Sequence, residues 1–465
     1  MTLACVGDRT RHYSTLPATK LRQSTGISRV DLPKENINVT KLPNGLVIAS
    51  LENHSPVCRV AAVVKAGARY EPYDSQGVTN LLRIYSNLST KYVSRLGLTK
   101  NLERLGASFR CTQTRENMVY SIDGLRSNYV QGAQFLAPVV CYPAFKPYEI
   151  HDEKARIQVD RDLYLQTPEL QLNDLLHEAA FKGGLSRPLS VSDEMINKLN
   201  HRQMYTFHSK YFTPDRVSLV GMGLNHNVLA QLAEKFKFSQ EQLKSTPGFG
   251  NLAPIEDEPE PVKYKGGEIR ADRPSSTVHI ALACEGVSWS DKNLLSSELI
   301  GQVLGDGPHI KWSAGASRLQ KAASAVADNT CVVSSFNLHY TDTGLFGVHI
   351  ICHKNDAGKV VKSVWSEFQK FAKSGLNEEE LKIARKKLQV STNMKMESSD
   401  YLLESMILNP EHCDKTSDLE TITNEIQQIK VDQINQFTKK LSQSKLTMAA
   451  IGNLKTLLHL DDLRQ

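Results

Sequence analysis

Two stretches of this 465-residue chain repeat the same succession of patterns, and the repetition constrains the fold more than any other feature. A strand-like run that ends in glycine occurs at 59–67 and again at 278–286, 219 positions later. An Ala-Arg pair within a helical pattern recurs at 155 and 384, an offset of 229. A helix containing Phe207 leads into a strand, as does one containing Phe437, an offset of 230. This spacing predicts two homologous domains, with chance similarity of amphipathic elements as the alternative.

A proline- and acid-rich segment at 241–267 separates the two copies. It contains prolines at 247, 254, 259 and 261, with acidic residues at 256, 257, 258 and 260 between them. Proline prevents regular strand pairing and like charges resist compaction, so we expect a semi-extended linker. The prediction is therefore an N-terminal domain at 41–240 and a C-terminal domain at 268–465, in keeping with about 200 residues per domain.

Local patterns within each half indicate strands mixed with long helices. Pro43, Asn44 and Gly45 predict a hairpin turn, and further hairpins are expected at 109–122 and 329–351. Asn377 and Glu380 form a capping box ahead of a long amphipathic helix. Because the elements follow no βαβ rhythm, the predicted fold class is α+β, with each domain an antiparallel sheet backed by helices.

Composition excludes several classes of function. The net charge of +6 is mild for this length, and there is no dense basic stripe with interleaved aromatic residues to suggest nucleic-acid binding. The eight cysteines are scattered without a CxxC pair, which disfavours zinc-knuckle, iron–sulfur and thioredoxin-like sites. No apolar run approaches the roughly 18–20 residues that span a bilayer.

The first 28 residues have the composition of a mitochondrial targeting segment. They carry four basic residues against one acid, and eight of the 28 are Ser or Thr. The run Arg11-His12-Tyr13-Ser14 is similar to the pattern at which matrix presequences are cut. We therefore expect a transit peptide at 1–13, with cleavage after Tyr13, and an N-terminal extension at 14–40. The alternative is a disordered basic tail with no targeting role.

Three motifs near the start of the first copy resemble one enzyme family. They are Leu-Pro-Asn-Gly-Leu at 42–46, the strand that ends in Lys-Ala-Gly-Ala-Arg-Tyr-Glu at 65–71, and the helix that opens at Gly77. Together they resemble the pitrilysin-type zinc peptidases, and the mitochondrial processing peptidase subunits are the closest class. The resemblance runs from about 40 to 455 and implies two homologous α+β domains.

The zinc motif of that family is absent from the matching helix. Active members carry H-x-x-E-H, whose two histidines lie one helical turn apart and bind Zn²⁺ while the glutamate activates water. By resemblance, the ligand positions here are Asn80 and Ile84, the base position is Arg83, and the distal ligand position is Asp160. Arg83 cannot act as a base and Ile84 has no donor atom. We therefore predict no metal site and no catalytic residue.

No other segment replaces this site. His349 and His353 are spaced i, i+4, but their segment is patterned as a strand, and we expect the pair to be incidental. His201 and His208 are expected on a helix surface. The glycine-rich run at 305–309 is predicted to form a turn. By resemblance, it lies where the presequence-recognition subunit of the processing peptidases has a longer glycine-rich loop.

Within the family, the chain resembles the zinc-less core subunits of mitochondrial ubiquinol–cytochrome c reductase. The segments that carry this resemblance are 42–53, 114–118, 266–270, 336–347 and 449–454. It implies a non-catalytic subunit without haem, quinone or iron–sulfur cofactor, on the matrix side of the inner membrane and paired with a second core subunit. The alternatives are the presequence-binding subunit of the processing peptidase and, less favoured, an active zinc metalloendopeptidase.

Overall fold

The computed structural model describes residues 37–238, 262–305, 317–408 and 419–463. The transit peptide with its cleavage site, most of the linker, Cys5, Cys413 and positions 306–309 of the glycine-rich run lie outside the described residues. We call residues 37–238 the first half and residues 262–463 the second half.

The first half alternates short strands with helices. Its strands are β1 (Ile37–Lys41), β2 (Val47–Leu51), β3 (Val57–Val64), β4 (Ser108–Gln113), β5 (Met118–Leu125), β6 (Phe181–Lys182) and β7 (Val217–Met222). Its helices are α1 (Val78–Ile84), α2 (Arg95–Arg104), α3 (Tyr129–Ala133), α4 (Leu136–Cys141), α5 (Pro147–Asp152), α6 (Lys154–Leu165), α7 (Pro168–Ala180), α8 (Asp193–Lys198), α9 (His201–Tyr211) and α10 (His226–Ala233).

The second half repeats this plan with longer helices. Its strands are β8 (Lys263–Tyr264), β9 (Gly267–Asp272), β10 (Thr277–Glu285), β11 (Val332–His339), β12 (Gly344–His353) and β13 (Thr447–Gly452). Its helices are α11 (Leu294–Leu304), α12 (Arg318–Ser324), α13 (Ala357–Ser374), α14 (Glu378–Glu397), α15 (Ser399–Leu408), α16 (Leu419–Gln428), α17 (Val431–Gln443) and α18 (Leu460–Leu463).

The two main sheets have the same strand order. The first is β1-β2-β7-β3-β5-β4, and the second, read in the same direction, is β9-β13-β10-β12-β11. Strands β2, β7, β3, β5 and β4 therefore correspond to β9, β13, β10, β12 and β11, which confirms the predicted duplication. Each sheet is antiparallel except for one parallel pair, β2 with β7 and β9 with β13, a detail that the sequence did not predict.

Local sequence signals gave most elements correctly and two boundaries incorrectly. The hairpin turn forms with Gly45 at φ +93°, and the Asn377–Glu380 capping box opens α14. Strand β1 pairs with β2 from Ile37 onward, so the first domain begins before residue 41. At the other boundary, β8 lies inside the predicted linker and pairs with β6, because the last prolines of that segment precede it.

Each main sheet is covered by helices on both faces, and one of the two layers comes from the other half. On β3, Val60 and Val64 point into the core formed with the helices of the first half. The alternate residues Ala61 and Val63 pack instead with Leu403 and Met406 of α15, which belongs to the second half. Because successive strand residues point to opposite faces, one strand contributes to two cores.

Helix α7 makes the reciprocal contact. Leu172 and Leu176 of this first-half helix pack against Ala281, Ala449 and Ile451 on the second sheet. The alanines on this sheet face leave room for the helix to lie close to the strands. The two halves thus complete each other's hydrophobic cores.

A buried polar cluster joins the halves beside these cores. Arg69 Nη1 donates to Glu116 Oε1 at 2.8 Å and to Asp342 Oδ1 at 2.9 Å. The Thr341 hydroxyl donates to Glu116 Oε1 at 2.6 Å. The hairpin turn between β11 and β12 is therefore held by first-half charges, and removal of Arg69 would leave the buried Glu116 carboxylate without its cation.

We predict that the α7 contact controls the stability of the whole chain. Leu176 is 2% exposed in the interface, whereas Leu170 on the same helix is 52% exposed. Leu176→Ala should lower the free energy of unfolding by about 2–5 kcal/mol, because it opens a cavity between the halves. Leu170→Ala, the matched control, should change it by less than about 0.5 kcal/mol. Urea denaturation of the purified chain measures both values, and equal stability of the two variants would contradict the prediction.

Candidate functional site: a degenerate metal-binding helix

Helix α1 starts at a glycine and is capped by a buried carboxylate. Gly77 has φ +89°, and a Cβ at this position would lie 2.6 Å from Val191 Cγ2, so both conformation and space require glycine. Glu71 Oε2 accepts from the Gly77 backbone N–H at 2.7 Å, and Oε1 accepts from that of Thr79 at 2.8 Å. These bonds fix the direction in which α1 leaves the strand region.

Glu71 is electrostatically unusual. Its burial raises the pKa of the carboxyl group to about 7, although the hydrogen bonds from Thr79 and Gly77 and the charge of Arg187 act in the opposite direction. The carboxyl group faces the start of α1 rather than an open cleft. It therefore acts as a helix cap, a role that the sequence analysis did not assign.

The four positions that the sequence analysis matched to the family's zinc site occupy two helices that contact each other. Asn80 and Ile84 on α1 are 4% and 3% exposed, and Ile84 packs in the core of the first half. Arg83 on the same helix donates through Nη2 to Asp160 Oδ2 of α6. The structure thus brings together Arg83 and Asp160, the positions predicted to correspond to the base and to the distal ligand.

The pair of Arg83 and Asp160 is partly exposed, with 27% and 33% of the side chains accessible. By the predicted correspondence, the Arg83 guanidinium lies where an active enzyme of this family would have its glutamate base, next to the metal ion. Asp160 has the only carboxylate among the four positions, and it already forms an ion pair with Arg83. At such exposure the ion pair contributes little to stability, about 0–1 kcal/mol, but it fixes the charge of the site.

The residues present do not fit a zinc ion. Zinc sites use imidazole, thiolate or carboxylate ligands, and α1 offers an amide, a guanidinium and an alkyl group. The nearby Cys111 thiol, on which Arg83 acts electrostatically, has its pKa raised to about 12 by burial and is therefore protonated. Within residues 37–238 and the other described ranges, no group of three or more His, Cys, Asp or Glu is placed to hold a metal.

The histidines singled out by the sequence fall in different environments. The prediction that His208 lies on a helix surface holds only in part, because this half-buried side chain contacts the Val140 carbonyl through Nε2 at 2.8 Å and its ring stacks on Phe212. Burial lowers the pKa of His208 to about 4. His201 is half-buried in the first turn of α9. His349 and His353 both belong to β12, as expected.

Two further expectations concern membranes and thiols. In the described part of the chain, no helix combines the length and apolarity needed to cross a bilayer. Cys58, Cys141, Cys284, Cys331 and Cys352 are free and buried, and Cys111 is half-buried. These thiols behave as small core residues, in agreement with the sequence analysis.

Comparison with known proteins defines the class. The insulinase (peptidase family M16) model matches residues 47–193, and the peptidase M16 inactive domain model matches residues 198–388. The chain belongs to the M16 peptidase family. The second match begins within the first half and ends within α14 of the second half.

The individual relatives are mitochondrial proteins. The chain is 32% identical to cytochrome b-c1 complex subunit 2, mitochondrial, of Homo sapiens over 99% of both sequences. The identity and the coverage are the same for the subunit 2 of Mus musculus. It is 27% identical to mitochondrial-processing peptidase subunit alpha of Solanum tuberosum, over 90% of this chain and 82% of the relative. The matches to an inactive domain and to cytochrome b-c1 complex subunit 2 favour a non-catalytic chain.

We predict that Glu71 makes stability depend on pH. An unfolded carboxyl group ionises near 4.5 and the folded one at about 7, so the folded state holds this proton more tightly. The stabilisation of the folded state by this tighter proton binding is complete below pH 4.5. It is lost as the pH rises through 7, by up to about 3 kcal/mol. The difference in free energy of unfolding between the native chain and Glu71→Gln should therefore fall from pH 5 to pH 8 in urea titrations. A difference that stays constant over this range would contradict the assignment.

Proposed function

We propose that this chain is a non-catalytic structural core subunit of mitochondrial ubiquinol–cytochrome c reductase, the cytochrome b-c1 complex. The observation that carries the proposal is the 32% identity with subunit 2 of that complex along 99% of both sequences. A full-length match leaves no large domain in either protein without a counterpart. The chain would support assembly of the complex and, through it, respiratory electron transport.

The degenerate helix supports the non-catalytic part of the proposal. Hydrolysis by this family requires a metal-bound water and a carboxylate base, as the H-x-x-E-H motif provides. Here Arg83 replaces the base and engages Asp160, and neither Asn80 nor Ile84 supplies a strong ligand. Asn80, Arg83, Ile84 and Asp160 are therefore proposed as vestiges of a site, without catalytic, metal-binding or cofactor-binding roles.

We further propose core protein 1 and the other subunits of the complex as partners, and the matrix side of the inner membrane as the location. The helices of the described ranges do not span a membrane, so attachment would come from partner subunits. The transit peptide at 1–13, the extension from 14 and the linker that begins at 241 remain part of this proposal. Permanent interfaces between subunits of this kind often bury more than about 2,000 Å².

A second candidate is the non-catalytic, presequence-binding subunit of the mitochondrial processing peptidase. The observation that favours it is the 27% identity to an alpha subunit of that enzyme over 90% of this chain. The lower identity and the short glycine-rich run at 305–309 make it the less favoured of the two.

Native gel electrophoresis of mitochondrial membranes separates the two candidates. The chain should migrate with cytochrome b in a high-molecular-weight band, and loss of the chain should remove that band. Reintroduction of a chain with Arg83→Gln and Asp160→Asn should restore the band as fully as the native chain, because the proposed role needs no chemistry at these positions. Migration of the chain with a soluble zinc peptidase, apart from cytochrome b, would contradict the proposal.

A further inference from the structure

Strands β10 and β12 bring two histidines together on the sheet face that α7 covers. In the antiparallel register His279 lies opposite Ile351 and His349 lies opposite Ala281, so the histidines are diagonal neighbours. Ala281 belongs to the interface core with α7, and strand alternation places His279 on the same face. The ring centres are 5.8 Å apart, with 31° between the ring planes.

The separation of the rings suits a shared metal ion. A metal bound by an imidazole nitrogen lies about 2.0–2.1 Å from it, which places the ion about 3 Å from the ring centre. Two imidazoles on one ion therefore have centres about 5–6 Å apart. The 5.8 Å separation falls in this range without any movement of the strands.

The electronic state of His279 also suits metal binding. Its Nδ1 is buried and has no hydrogen-bond partner. Burial lowers the pKa of His279, so the neutral imidazole that binds metals predominates at neutral pH. The negative charge of Glu169, in the first turn of α7, acts on this ring from the first half and favours a cation beside it.

We propose that His279 and His349 form a binding site for a divalent transition-metal ion whose other ligands are water. Imidazole pairs select borderline metals such as Cu²⁺, Ni²⁺ and Zn²⁺ over Mg²⁺ and Ca²⁺. The ion would link β10 to β12 beside the core that the second sheet shares with α7. The site is separate from the degenerate helix α1 and does not depend on the function proposed above.

Calorimetric titration of the full chain with ZnCl₂, after removal of metals by EDTA and dialysis, tests this site. We expect one saturable site with a dissociation constant in the micromolar range. The affinity should fall at least tenfold in His279→Ala and in His349→Ala. It should not change in His151→Ala, which removes an exposed histidine on α5 and serves as the matched control.

A spectroscopic measurement on the unaltered chain covers the case in which the variants do not fold. Copper loaded at one equivalent should give an electron paramagnetic resonance spectrum with hyperfine splitting from two imidazole nitrogens. The absence of saturable Zn²⁺ binding, binding of full strength in both folded variants, or a copper spectrum without coupling to two nitrogens would each overturn the proposal.

Discussion

The exchange of helices between the two halves is the constraint on which the rest of the structure depends. A mixed sheet with apolar residues on both faces needs two covering layers, and each half supplies only one layer to its own sheet. Helix α15 closes the first sheet through Leu403 and Met406, and α7 closes the second through Leu172 and Leu176. Neither half can bury its strands alone, so the duplicated domains form one cooperative body. The Arg69–Glu116 pair of the first half adds a contact to Asp342 that forms only when the halves are docked.

The same architecture holds together the two helices that the sequence analysis matched to the family's zinc site. In an active enzyme, the metal would link the helix equivalent to α1 with the helix equivalent to α6. In this chain, the Arg83–Asp160 ion pair links the same two helices, and the Glu71 cap fixes the start of α1. The arrangement of α1 and α6 therefore rests on a neutralised ion pair and a helix cap.

The sequence predicted the features that depend on local signals. The turn at Gly45, the Asn377 cap and the hairpin before Gly344 depend on residues a few positions apart, and all three form. The duplication was visible because equivalent elements kept their spacing. The replacement of the zinc ligands stays a prediction from the resemblance, whereas the contact between Arg83 and Asp160, 77 positions apart, required the structure.

Other contacts between residues that are distant in the sequence were likewise not predicted. Amphipathicity shows that α7 and α15 bury a face, but it does not show which sheet receives that face. The burial of His208 depends on the packing of α4 and α9, and the capping role of Glu71 depends on a turn closed by Gly77. A strand pattern likewise does not distinguish a parallel from an antiparallel neighbour, which is why the β2–β7 pair was not foreseen.

The central claim, that the α1–α6 site cannot perform hydrolysis, is tested most directly by incubating the purified chain with a basic presequence peptide in buffer containing Zn²⁺. The account predicts no cleavage above the rate without protein, for the native chain and for Asp160→Asn alike. Cleavage that EDTA stops and that Asp160→Asn abolishes would contradict it.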